Sequence, residues 1–390
     1  MPPHDPVQIR PAIDRADMEA FIRLPERLMR DDPHFVAPLR AERRMAFSAH
    51  HNPYFQHAEV AFWLALRDGR PVGRISAQQD RLETTAPDGG LAGHFGLLAA
   101  EDDGDVYAGL LGTAQDWCAM RGTKRITGPF NLSANEETGL LVRGFDTPPM
   151  LMMPHDPPQA GQHLERLGYT RERDLLAYRV ETARPATAAA AQLVARGLPA
   201  GVVLRPLRRA ALREDIRLLV DIFNDAWAGN WGFVPITRDE MDAMAASMKP
   251  LLRERLVWFA EVEGEAVAFA VCLPNLNEVI ADLGGRLLPL GWAKLLWRLK
   301  LRGTTTARVP LMGVRRSLAR GMLGRVLPLF IVDALRREAS AMGIRTIEMS
   351  WVLEDNLPMR RLAEAVGGEA YKTYRIYGLD LPPPDQGESA

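Results

Sequence analysis

Hydrophobic and polar positions along this chain change period several times, and the clearest succession lies near the C-terminus. Val309-Pro310-Leu311-Met312-Gly313-Val314 is an apolar run that predicts a strand. A basic, glycine-containing turn follows from Arg315 to Gly324, then a pattern of helical period to about Ala341. Thr346 to Val352 predicts a second strand, which leads through Glu354-Asp355-Asn356 into another helix. Gly367-Gly368 then precedes a closing strand that ends at Tyr377. A strand that delivers backbone N–H groups and arginines to a helix N-terminus makes an anion site suited to a pyrophosphate.

The same pattern occurs, less completely, in the first half. Phe62–Leu66 and Pro71–Ala77 flank Asp68-Gly69, while Leu256–Ala260 and Val267–Val271 flank Glu263-Gly264. Such dipeptides between apolar runs predict hairpins. Each half opens on a short strand and a helix (about 14–30 and 211–227), and each ends in helix, glycine and strand. This predicts two copies of one α+β unit. The expected division is a first domain over 1–181, a linker over 182–201, a second domain over 202–381 and a disordered tail over 382–390.

Composition narrows the function classes. The chain has 390 residues, with 25% charged and 47% hydrophobic residues, a net charge of −1 and two distant cysteines, Cys118 and Cys272. That balance argues against a nucleic-acid binder, and two separated thiols suit a reducing compartment better than a disulfide or a zinc site. The first residues, Met1 to Pro6, have neither a basic nor an apolar signal region, so a cytoplasmic protein is expected.

Candidate chemistry is unevenly spread. All eight histidines lie at or before residue 163, so an imidazole base must come from the first half; His155, beside Asp156, is the best placed. None of them forms a metal pattern, and no metal is expected. Gly128 to Gly139 gathers Asn131, Ser133, Asn135, Glu136 and Glu137 in one loop after a strand. Those groups suit either a polar head group with a base for its amine, or a loop that satisfies its own backbone. Met150 to Met153 reads as a buried strand or an apolar pocket wall.

The block from Arg308 to Tyr377 resembles the GCN5-related N-acyltransferase (GNAT) superfamily, and the whole chain resembles a tandem GNAT. The resemblance implies two tandem GNAT-like domains, each a mixed, mostly antiparallel sheet flanked by helices, with acyl-CoA held between two splayed parallel strands. The family's phosphate loop, Arg/Gln-x-x-Gly-x-Gly/Ala, falls on Ala319, Met322 and Gly324, of which only Gly324 matches; Arg320 and Gly321 stand one place late. Arg315 and Arg316 supply further positive charge. The resemblance makes Met312 and Val314 the backbone that polarises the thioester, and Asn356 the asparagine after the second splayed strand. The family's helix tyrosine falls on Ala363, so a thiolate acid must come from elsewhere: Tyr371 or Tyr374, or else a water. Glu136, Glu137 and Glu354 are candidates for the base. In the first half the corresponding loop reads Glu101-Asp102-Asp103-Gly104-Asp105, whose carboxylates repel a pyrophosphate.

An insertion at 287–302 has helical period. Lys294, Arg298 and Arg302 form one stripe and Leu288, Trp292, Leu295, Leu296 and Leu299 the opposite arc. It suits a helix at an anionic membrane surface, a lid over an acyl chain bearing Trp292 and Trp297, or plain packing on the domain. With this insertion, the block Ser350-Trp351-Val352-Leu353-Glu354-Asp355-Asn356 and the ending Tyr371-Lys372-Thr373-Tyr374-Arg375-Ile376-Tyr377, the chain is similar to bacterial GNAT-type ceramide synthases. That resemblance implies transfer of a long acyl chain from acyl-CoA to a lipid amine, which requires the protein to reach the inner membrane face. A soluble acetyltransferase acting on a small amine, and a non-catalytic acyl-CoA binder, are the alternatives.

Overall fold

Both glycine signals close hairpins in the computed structural model of the chain, which describes residues 6–83 and 92–382. Asp68 and Gly69 have φ of 53° and 72°, and Glu263 and Gly264 have φ of 52° and 84°. Two consecutive residues at positive φ make the tight turn whose twist matches the strands on either side.

The first half supplies β1 (Gln8–Pro11), β2 (Ala58–Arg67), β3 (Arg70–Asp80), β4 (Gly93–Ala100), β5 (Arg125–Gly128), β6 (Phe130–Asn131), β7 (Glu137–Thr138), β8 (Leu140–Arg143) and β9 (Thr170–Glu181). The second supplies β10 (Val202–Pro206), β11 (Val257–Val262), β12 (Glu265–Pro274), β13 (Thr306–Val314), β14 (Thr346–Leu353) and β15 (Glu369–Asp380). Pairing is antiparallel except for β4 with β5 and β13 with β14. The α+β architecture of two GNAT-like halves is therefore present.

The halves share one sheet, in the order β1-β2-β3-β4-β5-β15-β9-β14-β13-β12-β11-β10. Their closing strands are exchanged. β15 of the second half pairs with β5 of the first, and β9 of the first pairs with β14 of the second. The two closing strands also pair with each other from Glu369 to Gly378. Each half thus covers a sheet edge that the other would leave open.

Apolar faces follow the strand period. Ile347 and Met349 turn toward the helix Met322–Ala341, packing with Leu327, Ile331 and Leu335. A separate cluster at the junction joins Phe130, Leu141, Met150 and Met153 to Leu175, Ala177, Tyr374 and Ile376.

Several local expectations are corrected. The stretch expected as a linker carries a helix, Ala188–Ala195, whose Ala190 enters the core of the second half. Met150 to Met153 forms a turn closed by Met153 N–H on the Met150 carbonyl (3.1 Å), not a strand. Prolines at 148, 149 and 154 remove the donors a ladder would need. The insertion is a short helix, Gly291–Trp297, followed by a π-helical turn, Arg298–Arg302. Residues 383–390 of the expected tail, and His4, lie outside the described residues. Among the described residues no helix is long and apolar enough to cross a membrane.

Candidate active site

β13 and β14 stay paired only from Thr306 with Thr346 to Val309 with Met349. Beyond that point Pro310 has no N–H to give, and β14 keeps only its pairing with β9, which resumes after an irregularity with Val352 and Leu353 opposite Leu176 and Leu175. The strands part, leaving an opening between 310–314 and 350–353. On β13 the Met312 carbonyl accepts the Trp227 indole N–H at 3.0 Å, and Val314 pairs with Ala268.

The helix Met322–Ala341 begins beside this opening. Gly321 is its N-cap, no side chain caps it and no carboxylate stands in its first turn. Its first N–H groups are thus free to meet an anion. Gly324 is demanded by a close approach: a Cβ there would lie 2.2 Å from the Leu318 carbonyl oxygen and 2.7 Å from Ala319 Cα. Arg320 is exposed, without an ion pair among the described residues. Arg315 and Arg316, expected to face the anion, are instead drawn to the helix Leu212–Trp227. Arg315 donates to Asp221 at 2.7 Å, and Arg316 donates to Asp225 through its backbone N–H at 2.8 Å and Nε at 3.3 Å. Asn356 uses its side-chain oxygen to accept the Met359 N–H (3.2 Å), capping the helix Leu357–Ala365.

The face of β14 turned toward the first half carries a buried polar network centred on Glu348. Arg308 Nε donates to Ser350 Oγ at 2.8 Å, and the Ser350 hydroxyl donates to Glu348 Oε1 at 2.6 Å. Tyr371 donates to the other carboxylate oxygen. Arg308 also donates to the carbonyls of Leu151 (2.9 Å) and Met152 (3.2 Å), fastening the first-half turn to the second half. Lys372, fully buried, donates to the Gly144 and Thr147 carbonyls at 2.8 and 2.7 Å. Burial pushes its pKa down to about 8. The Tyr374 hydroxyl and the Trp351 indole N–H are buried donors in this same region without a partner among the described residues. Native interiors rarely leave such donors unsatisfied, so a ligand oxygen would find two waiting here.

The first-half loop forms the other wall. Glu137 is held by Arg43 and by the Asn131 amide at 3.0 Å, while Asn131 accepts the Leu97 N–H at 2.8 Å. Burial alone would raise the Glu137 pKa, but Arg43 and Asn131 outweigh it and the carboxyl stays ionised. Ser133 accepts the Asn135 N–H at 3.1 Å, and Asn135 donates to the Val234 carbonyl at 3.0 Å. Trp231 stacks on Phe130 at 6.3 Å, so a second-half segment covers this loop. Glu136 alone among these groups has no hydrogen-bonded or ion-paired partner for its carboxylate among the described residues. It keeps some access to solvent, and burial pushes its pKa up to about 8. Asp156, accepting the Leu141 N–H at 2.9 Å, is raised by burial to about 7.

Other predicted residues lie elsewhere. His155 does not meet its neighbour Asp156; its Nε2 bonds Asp32 at 2.9 Å, and burial lowers its pKa. Glu354 faces an outer groove, 3.2 Å from Arg171 and bonded to the Asp174 N–H at 3.2 Å. Trp292 and Trp297 are exposed on the insertion. Sequence reasoning passed over Glu348 and Arg308. Their signal was a charge at an inward position of an otherwise apolar strand. Among the described residues no three His, Cys, Asp or Glu side chains gather as a metal site requires.

No family model matches the chain. It is 49% identical over 371 residues to the bacterial ceramide synthase of Caulobacter vibrioides, covering 95% of this chain and 97% of that protein. It is 42% identical over 369 residues to protein YghO of Escherichia coli, covering 95% and 94%. Among solved structures, a tandem GNAT protein from the clavulanic acid biosynthesis pathway superposes with a TM-score of 0.54 at 15% identity, over 97% of this chain and all of that one. A GCN5-related N-acetyltransferase from Sphaerobacter thermophilus gives a TM-score of 0.54 at 16% identity, with 97% of each chain covered. These two likenesses establish the fold.

Proposed function

The chain belongs to the bacterial ceramide synthase family, on a tandem GNAT fold, and we propose that it transfers a long-chain acyl group from acyl-CoA to the amine of a sphingoid base. The observation that carries this reading is the parting of β13 and β14 beside a helix start free of caps and carboxylates. Acyl-CoA is a substrate here. Its pyrophosphate lies on the N–H groups after Gly321, with Arg320 beside it, and its thioester lies in the opening near Met312 and Val314.

The amine must lose its ammonium proton before its lone pair can attack the thioester carbonyl. Glu136 takes that proton, because its carboxylate is unpartnered and its pKa of about 8 lies near that of the task. Glu137, Asn131 and Arg43 position the loop that carries it. A backbone N–H of the opened strand stabilises the oxyanion as the C–N bond forms. The C–S bond then breaks as the nitrogen gives up its second proton, which the Tyr374 hydroxyl, or a water it orders, relays to the departing thiolate, so that the phenol ends as it began. No cysteine takes part, since burial pushes both thiols up to about 12. The acceptor's own chain keeps it in a bilayer, so the enzyme works from the cytoplasm against a membrane face.

The test is CoA release, read as free thiol, from palmitoyl-CoA or acetyl-CoA with sphinganine or a soluble amine. Release with palmitoyl-CoA and sphinganine alone is the expected result. Turnover of acetyl-CoA with a soluble amine sinks the lipid reading, and binding without turnover sinks the enzymatic one.

A further inference from the structure

The insertion shows its apolar side chains to solvent, while Arg298 turns inward to an acid. Leu288, Leu290, Trp292, Leu296, Trp297 and Leu301 are between 46% and 78% exposed. They are six of the fourteen exposed large apolar side chains found among the described residues, within fourteen positions of one another. Singly exposed apolar residues are ordinary, but a concentrated patch marks an interaction surface.

The patch is held firmly. Arg298 donates to Asp282 at 2.9 Å and to the Val279 carbonyl at 2.6 Å, and Lys294 stands 3.4 Å from the same carboxylate. Arg253 donates to the Leu299 carbonyl at 3.3 Å, and Leu299 packs on the second-half core. The Trp292 indole N–H donates to the Pro289 carbonyl (3.1 Å), which leaves its ring free of polar demands. Lys294 and Arg298, two members of the basic stripe, thus fasten the segment and neutralise its acid.

The remaining cations face outward. Arg286, Lys300 and Arg302 are exposed and form no ion pair among the described residues. An apolar patch with two tryptophans, ringed by unpaired cations, is complementary to anionic lipid headgroups above acyl chains. The turn that anchors the patch, Asp282 to Arg286, also forms one wall of a cleft of about 450 Å³, whose other wall includes Met29, Asp32 and Arg40 of the first half.

We infer that residues 286–302 dock the protein on an anionic bilayer, with the cleft mouth turned to the membrane. Docking stands on the surface alone. Delivery of a single-chain amine through the cleft rests on the function proposed above.

The test is co-sedimentation of the full chain with vesicles of phosphatidylglycerol and phosphatidylcholine, or of phosphatidylcholine alone. The wild type is expected to bind the anionic vesicles and to be released by salt. The variant Leu288→Ser/Leu296→Ser/Leu301→Ser should bind roughly tenfold more weakly or worse. Lys300→Ala/Arg302→Ala should lose about fivefold per charge on anionic vesicles only. Wild-type binding unchanged in the leucine variant overturns the inference, as does no binding by the wild type. A wild-type dimer that the leucine variant dissolves also overturns it, since a second copy would then cover the patch. Unchanged thermal melting establishes that the variants fold. Turnover of a short-chain, micelle-free sphingoid analogue should be unchanged in the leucine variant. Loss of vesicle binding with that turnover intact isolates docking, whereas absence of turnover in the wild type bears on the proposed reaction alone.

Discussion

Tyr371 on β15 donates a hydrogen bond to Glu348 on β14, although β9 of the other half lies between these strands. On β9 between them, Arg179 stands in register with Glu348 on one side and Glu369 on the other, its guanidinium 5.5 Å from the Tyr371 ring. The bond therefore ties two strands of the second half together across a strand of the first.

Ala177 of β9 is fully buried in the junction core beside this bond's strands, and Ala177→Leu should overpack it. Overpacking of this kind costs about 1–3 kcal/mol, and Tyr371→Phe should cost a similar ~1–3 kcal/mol by leaving a buried carboxylate one donor short. Urea denaturation measures both.

Glu136→Gln should lower kcat by roughly 10²–10⁴-fold, the range of a lost general base. In the wild type, kcat/KM should rise with pH toward a plateau above about 8, where burial has placed this carboxyl. The variant should lack that limb. The stability effect has the opposite sign. A pKa raised from 4.5 to about 8 means that the folded state holds the proton longer than the unfolded chain, so stability falls as pH rises through that interval. At pH 9 the inactive Gln variant should melt no lower than the wild type.

Glu137→Gln should behave differently, since Glu137 is paired with Arg43 and bonded to Asn131. Removing one partner of a buried pair costs about 3–5 kcal/mol. The expected result is a lowered melting temperature at every pH between 6 and 9, with the acid limb near pH 8 retained in the surviving activity.

At the helix start, Arg320→Ala should raise the KM for acyl-CoA several-fold with little change in kcat. Gly324→Ala should raise it further, because its Cβ would meet the Leu318 carbonyl at 2.2 Å and push the turn away. Steady-state kinetics at saturating acceptor separates the two constants. Equal KM in all three proteins would remove this helix start from the phosphate site.

Asn356→Ala should cost about 1 kcal/mol, the usual loss for a helix cap, because its oxygen already accepts the Met359 N–H. Thermal melting reads that loss. The KM for acyl-CoA should stay unchanged, and a rise would show that the side chain also reaches the substrate.

Local features are legible in the residues themselves. The alternation of apolar runs and helical periods places the hairpins, the helix ending at Ala341 and the strands on either side of it. Gly324 stands out by spacing, and in the charged loop at Glu101–Asp105 it is Asp103 that caps the helix Gly104–Ala119. Such properties depend on neighbours within a few residues, which is the range that sequence pattern reports.

Partners distant in sequence were decided only by the tertiary structure. β9 and β15 have similar alternation, so nothing in their residues says that each completes the other half's sheet; the ladder's backbone hydrogen bonds do not depend on which half supplies them. The same holds for charges. Arg315 and Arg316 read as anion ligands until the helix Leu212–Trp227 brought Asp221 and Asp225 against them. Lys294 and Arg298 read as one free basic stripe of an amphipathic helix until Asp282 paired with both and drew Arg298 inward, while the leucines and tryptophans stayed outside. The chain's own pattern determined its elements and its membership of the fold. Which groups stay free to act was decided by which opposite charges the fold carried to them.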